Sequence, residues 1–293
     1  MVEAPLPLKQ RAEQLAATMP PLLVAAERVA STVAQGVHGR RRVGQGETFW
    51  QFRGYYFGDA PQSIDWRQSA KSDRVFVREM EWEAAQSVWL WRDASPSMRW
   101  RSSPRLHEKR ERAELLLLAL TAMLVRSGER VALLGSGHRP TTGRATLSRL
   151  GAELVRSAGS GNLPPFTQLP RYAQIVLIGD FLDPLETIDA IVRRYGERDV
   201  KGHLLQVLDP AEETLPYEGR VRFEGLEDEA PWLLSRTEAV RGAFTKRLTA
   251  HREGLRAIAQ AAGWSFACHH TDQSPHTALL ALYAAMSRVP GLA

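Results

Sequence analysis

From residue 87 onward, the apolar residues of this chain fall into short unbroken runs separated by longer stretches of helical period. Val88 to Trp91, Arg130 to Leu134, Ile175 to Asp183, His203 to Leu208 and Trp264 to His270 have the length and composition of strands. Where such a run is wholly apolar, it fits a strand covered on both faces. Between the runs, the pattern predicts helices. The first starts at Ser103-Pro104 and ends before Gly128, with an almost wholly apolar segment from Leu115 to Val125. Its opening turns (Arg105, Glu108, Lys109, Arg110, Glu111, Arg112) read as a solvated end. Further helices are predicted over Ala145–Ala158, Thr187–Gly196, Thr237–Gln260 and Pro275–Met286. Strands alternating with helices imply an α/β fold with a mainly parallel sheet and right-handed crossovers.

Before this alternation the rhythm is different. Residues 7–35 read as a helical arm in two pieces, broken at Pro20-Pro21 and stopped by Gly36, with Leu22, Leu23, Ala26, Val29, Ala30 and Val33 on one face. Residues 44–83 crowd Phe49, Trp50, Phe52, Tyr55, Tyr56 and Phe57 among glycines and charges, the mark of a compact hairpin-like module. Residues 211–232 are an acidic excursion predicted to hold a small hairpin around Arg220 to Phe223. The expected organisation is an arm over 1–36, a module over 37–84 and an α/β domain over 85–293.

Composition narrows the class only a little. Hydrophobic residues at 44% and charged residues at 24% suit a globular protein with a sizeable core. The net charge of +5 is a mild excess, and the basic cluster His38-Gly-Arg-Arg-Arg42 reads as a solvated face, so nucleic acid is not an expected partner. A lone cysteine, Cys268, excludes an internal disulfide and a cysteine-ligated zinc. No targeting segment or bilayer-length apolar run stands out, which makes the cytoplasm the expected location.

Candidate chemistry begins where the first strand ends. Asp93, Ser95 and Ser97 stand at alternate positions of Asp-Ala-Ser-Pro-Ser, placing one carboxylate and two hydroxyls at a strand's carboxyl end. Ligands bind there in open α/β sheets, and oxygen donors suit magnesium. Asp and Ser also cap helices and close turns, so the pattern alone does not decide. Asp180 leaves the carboxyl end of another strand, and if the two strands are neighbours the carboxylates converge. Catalytic signatures are absent: there is no G-x-S-x-G elbow and no Walker motif. Gly135-Ser-Gly137 lacks the residues of a phosphate loop. His269 and His270 point to opposite faces of a strand. An Asp93 nucleophile would call for a lysine, and none stands in the expected loops.

The run GQGETFWQFRGYYFGDAPQSIDWRQSAKSDRVFVREMEWE leading into SVWLWRDASPSM resembles the bacterial domain-of-unknown-function family 58. The resemblance rests on Gly44 and Gly46, Arg53 and Tyr55, Gly58 and Asp59, Ile64 to Trp66 with Asp65, Ser69 to Lys71, and Val77 to Glu81 with Arg78 and Glu79. Asp93, Ser95 and Ser97 resemble the metal-ion-dependent adhesion site of von Willebrand factor A domains. The resemblance implies a von Willebrand A-like Rossmann sheet binding magnesium or manganese through Asp93, Ser95, Ser97 and Asp180, with Thr142 as a further ligand. It implies a non-enzymatic adaptor or co-chaperone beside a MoxR-type AAA+ ATPase, meeting a protein partner through the metal. Two other expectations remain open: a metal-dependent phosphoester or nucleic-acid hydrolase using Asp59, Asp65, Glu79 and Glu81, and a metal-free scaffold.

Overall fold

The computed structural model describes residues 30, 43–55, 64–71, 74–81, 87–157, 161–226 and 230–286. Two compact units result: His38–Gln86, and the rest of the chain. Of the expected helical arm only Ala30 is described; it is helical and buried with the core of the larger unit.

In the smaller unit, β1 (Val43–Gly54) pairs antiparallel with β2 (Phe76–Glu81), in register from Phe52↔Arg78 to Gly54↔Phe76. The hairpin expectation holds here, with irregular pairing around Phe49. Between the strands lies a single helical turn, α1 (Trp66–Ser69). Asp65 caps it by accepting from the Gln68 amide at 2.8 Å. Ser69 Oγ donates to the Asp65 carbonyl at 2.7 Å and accepts from the Phe76 amide at 2.8 Å, which pins the turn to β2.

The larger unit is built on a five-stranded parallel sheet: β3 (Ser87–Arg92), β4 (Arg130–Leu133), β5 (Gln174–Gly179), β6 (Lys201–Leu208) and β9 (Ser265–His270). Its order is β4-β3-β5-β6-β9, so chain direction across the sheet reverses at β3. Side chains alternate along β3. Val88 and Leu90 face the layer of α2 (Lys109–Arg126), α3 (Arg144–Arg156) and α7 (Pro275–Met286). Trp89 and Trp91 face the layer of α4 (Leu185–Gly196) and α6 (Thr237–Ala261). Helices on both faces explain why these strands read as near-continuous apolar runs.

Two expectations are corrected here. The first long helix begins at Lys109, not Pro104: the Leu106 amide closes a separate turn on the Ser103 carbonyl at 3.0 Å, and a capping box of Glu108 and Glu111 sets the start. Its charged end is only partly solvated: Arg105 and Glu111 are exposed, but Lys109 and Arg112 are buried. Arg112 donates to the carbonyls of Thr271 and Gln273, each at 2.8 Å. The excursion holds its hairpin, β7 (Val221–Phe223) against β8 (Trp232–Leu234), but opens with a short helix, α5 (Pro210–Thr214). Among the described residues no helix is long and apolar enough to cross a membrane.

Beneath the carboxyl end of β3, Arg92 is 4% exposed and pairs with Glu114 of α2 at 3.1 Å. It also donates to the Leu154 carbonyl of α3 at 3.1 Å. Removing one partner strands a buried charge, so Arg92→Met is expected to lower stability by roughly 3 kcal/mol in urea unfolding. Arg92→Met/Glu114→Leu should regain most of that loss; a double variant as unstable as the single would contradict this account.

Candidate functional site

The reversal of strand order leaves a crevice outside the carboxyl ends of β3 and β5, which is where an open α/β sheet offers a ligand site. Those strands pair directly, up to Arg92↔Ile178, and the Asp93 amide continues the ladder to the Ile178 carbonyl at 2.8 Å. The condition set by the sequence is met: Asp93 and Asp180 emerge side by side. Gly179 permits this closeness, because a Cβ there would lie 2.9 Å from Asp93 Cβ.

After β3 the chain turns tightly. Asp93 Oδ1 accepts the Ser95 amide at 2.8 Å, and a 3-10 turn (Pro96–Arg99) follows with fully buried Met98 as its anchor. Ser95 and Ser97 thereby face each other, hydroxyl to hydroxyl at 3.0 Å, and Ser97 Oγ donates to Asp180 Oδ2 at 2.7 Å. After β5, Phe181 adopts a left-handed φ of 50°, uncommon for a bulky residue. Packing near Trp91 and a hydrogen bond from His251 Nε2 to the Phe181 carbonyl at 2.7 Å hold that turn. Gln206 of β6 donates to the Asp180 carbonyl at 2.9 Å. Four of the five expected ligands, Asp93, Ser95, Ser97 and Asp180, therefore share one crevice.

Thr142 does not join them. Its neighbour Thr141 pairs with Val131, which pairs with Val88, and Asp93 lies five residues further along β3. At about 3.3 Å per residue, that separates Thr141 from Asp93 by roughly 16 Å, with exposed Thr142 on the far side. The loop carrying Thr142 runs back along β4, away from the carboxyl edge. Among the described residues, no three His, Cys, Asp or Glu side chains gather as a metal cluster, so the site depends on two carboxylates and two hydroxyls.

Two residues of this region were not foreseen. Lys109, absent from every expected loop, comes from the first turn of α2 and is fully buried. Its Nζ lies 2.9 Å from Asp180 Oδ2 and 2.6 Å from Glu212 Oε1. Burial works against its charge, yet Asp180 and Glu212 hold its pKa above the ordinary lysine value. Burial pushes Glu212 upward against the pull of Lys109. Glu212 also accepts the Asp209 amide at 2.8 Å, as half of a capping box on α5. That box, Asp209-Pro-Ala-Glu212, is legible in sequence. A lysine opening a helix, against the dipole, is a second signal that it has a specific partner.

The signature residues of the smaller unit have structural places. Asp65 caps α1, Trp66 is exposed, and Tyr55 continues β1 with its amide on the Val75 carbonyl at 2.8 Å. Gly58 and Asp59 lie outside the described residues; Gly46, Arg53, Arg78, Glu79 and Glu81 are placed as strand backbone only. In the larger unit, His269 is buried while His270 pairs with Glu213, in keeping with opposite faces. A cavity of about 640 Å³ adjoins the Asp93 loop, lined by Arg92, Ala94, Leu134, His138, Glu153 and Pro165 among others.

Burial, reinforced by Asp180, pushes the Asp93 carboxyl up to about 7. Between pH 4 and 7 the folded protein then holds a proton at Asp93 that the unfolded chain has released. Stability from this group therefore falls as pH rises through that window, by on the order of 3 kcal/mol. Buried His203 and His269, lowered to about 4, act in the opposite direction, since acid must charge them on unfolding. Comparison with Asp93→Asn isolates the carboxyl: urea unfolding from pH 5 to 8 should show the variant gaining on the parent as pH rises. Parallel profiles would contradict the assignment.

Comparison with known proteins gives relatives without assigned activity. The chain is 26% identical over 276 residues to Uncharacterized protein Rv1480 of Mycobacterium tuberculosis and Uncharacterized protein Mb1516 of Mycobacterium bovis, covering 89% of this chain and 86% of each relative. Among solved structures, it is similar to the conserved hypothetical protein BatB of Bacteroides thetaiotaomicron at 14% identity and a TM-score of 0.41, over 69% of this chain and 99% of that one. An aerotolerance-related membrane protein of Bacteroides fragilis matches at 17% identity and a TM-score of 0.38, over 69% of this chain and 98% of that one. The profile of the protein family of unknown function DUF58 matches residues 51–254, and the chain belongs to that family.

Proposed function

We propose that Asp93, Ser95, Ser97 and Asp180 hold a hard divalent cation, magnesium or manganese, and that the chain is a non-enzymatic adaptor gripping an acidic side chain of a partner protein through it. The observation that carries this reading is the convergence of an all-oxygen donor set at the sheet's reversal point, with Asp93 short of compensating charge. Hard cations take oxygen ligands and keep waters, so four side chains without Thr142 suffice as a donor set. A bound magnesium would supply an open position for a partner's carboxylate.

The residues themselves prepare the place. Asp93, once deprotonated, and Asp180 supply negative charge from a rigid sheet edge. Ser95 and Ser97 bridge them and fix their separation. Ser97 is half-buried, so the crevice has an approach from solvent. This is the von Willebrand A-like reading of the sheet. The proposed partner is a MoxR-type AAA+ ATPase or its client, and the proposed location is the cytoplasm.

Titration calorimetry with magnesium and manganese tests the metal step. The parent protein should bind with one-to-one stoichiometry, and Asp93→Ala and Asp180→Ala should each bind more than about tenfold more weakly. Retention of a co-expressed MoxR-type ATPase should disappear with chelator. Equal metal binding in parent and Asp93→Ala, or none in either, defeats the proposal.

A further inference from the structure

Lys109 opens α2, where the helix dipole already concentrates positive charge, and it is fully buried. Neither condition suits an ammonium. A lysine persists in such a place only with opposite charge in contact. Its two partners differ in kind. Asp180 Oδ2 is the same oxygen that accepts from Ser97, so the ammonium sits on the carboxylate proposed to hold a cation. Glu212 belongs to α5, is tied to the Asp209 amide, and has no place in the donor set.

We infer that Lys109 is a built-in counter-cation of the site. It supplies one positive charge to Asp180, keeps the crevice assembled without metal, and lowers the affinity of the donor set for a divalent cation. Glu212 is its tether, drawing Nζ toward α5 and giving the ammonium a partner when Asp180 is engaged elsewhere. The inference rests on the reading of these carboxylates as a cation site, but it concerns residues outside the ligand motif. Three loops meet in this arrangement. Ser97 follows β3, Asp180 follows β5, and Asp209 with Glu212 follows β6.

The test uses the full chain, with magnesium or manganese as probe, read by calorimetry and by thermal midpoint in chelator and in metal. Lys109→Met removes the ammonium. Lys109→Met/Glu212→Gln removes it with one carboxylate, leaving less uncompensated buried charge and a second chance to fold. Both variants should have a lower midpoint than the parent in chelator, a clear rise with metal, and binding at least about tenfold tighter. Glu212→Gln alone should bind metal more weakly than the parent, because Lys109 then depends wholly on Asp180. Variants that bind no tighter than the parent, or whose midpoint metal fails to raise, overturn the inference. So do variants that stay unfolded in metal as well, since metal must be able to replace the ammonium. A parent that binds no metal beside variants that do would support the counter-cation while defeating the adaptor reading. A parent that binds, beside unchanged variants, would do the reverse.

Discussion

Two buried carboxylates share one crevice, and much of the local structure answers the repulsion between them. Parallel pairing of β3 with β5 brings Asp93 and Asp180 together, and Gly179 removes the Cβ that would have kept them apart. Like charges this close are tolerated when one is protonated, when hydrogen bonds share the charge, or when a cation stands beside them. All three remedies are present. Asp93 is pushed up to about 7, the Ser95 amide and the Ser97 hydroxyl bond the pair, and Lys109 faces Asp180. Each leaves Asp93 without a full counter-charge of its own, which gives a divalent cation a reason to bind.

The sheet and its two candidate carboxylates were legible because their signals are local. Unbroken apolar runs mark buried strands, and the residue after each run marks the ligand edge. Asp93, Ser95, Ser97 and Asp180 all follow from that rule. Lys109 and Glu212 were missed because their meaning depends on which loops become neighbours, and that is fixed by strand order. Thr142 failed for the same reason in reverse. Its sequence position after β4 suits a ligand loop, but the antiparallel bridge from Thr141 to Val131 carries it toward the amino end of the sheet. Charge at the start of α2 looked like a solvated end, although Lys109, Arg112 and Glu114 all turn inward to partners supplied by distant segments.

The smaller unit tells against giving every signature residue a chemical role. Asp65 caps a four-residue helix, and Ser69 bonds that helix to β2. A single turn of helix is far too short to persist alone, so such bonds are what hold it in place. Asp65, one of the carboxylates the hydrolase expectation invoked, has a structural task as a helix cap.

The choice between gripping a partner and turning over a phosphate ester also bears on Lys109. A hydrolase site needs positive charge to meet the charge that develops on the substrate, supplied by a bound metal ion or by a side chain that reaches it. Lys109 is sealed from solvent and already engaged by two carboxylates, so its charge is committed within the protein. What the crevice offers outward is oxygen: a half-buried Ser97 and a pair of carboxylates behind it. A surface of that kind attracts cations first and anions only through them. The proposed recognition of an acidic partner by way of a bound cation uses that order of affinities, and it requires no group in the site to break a bond.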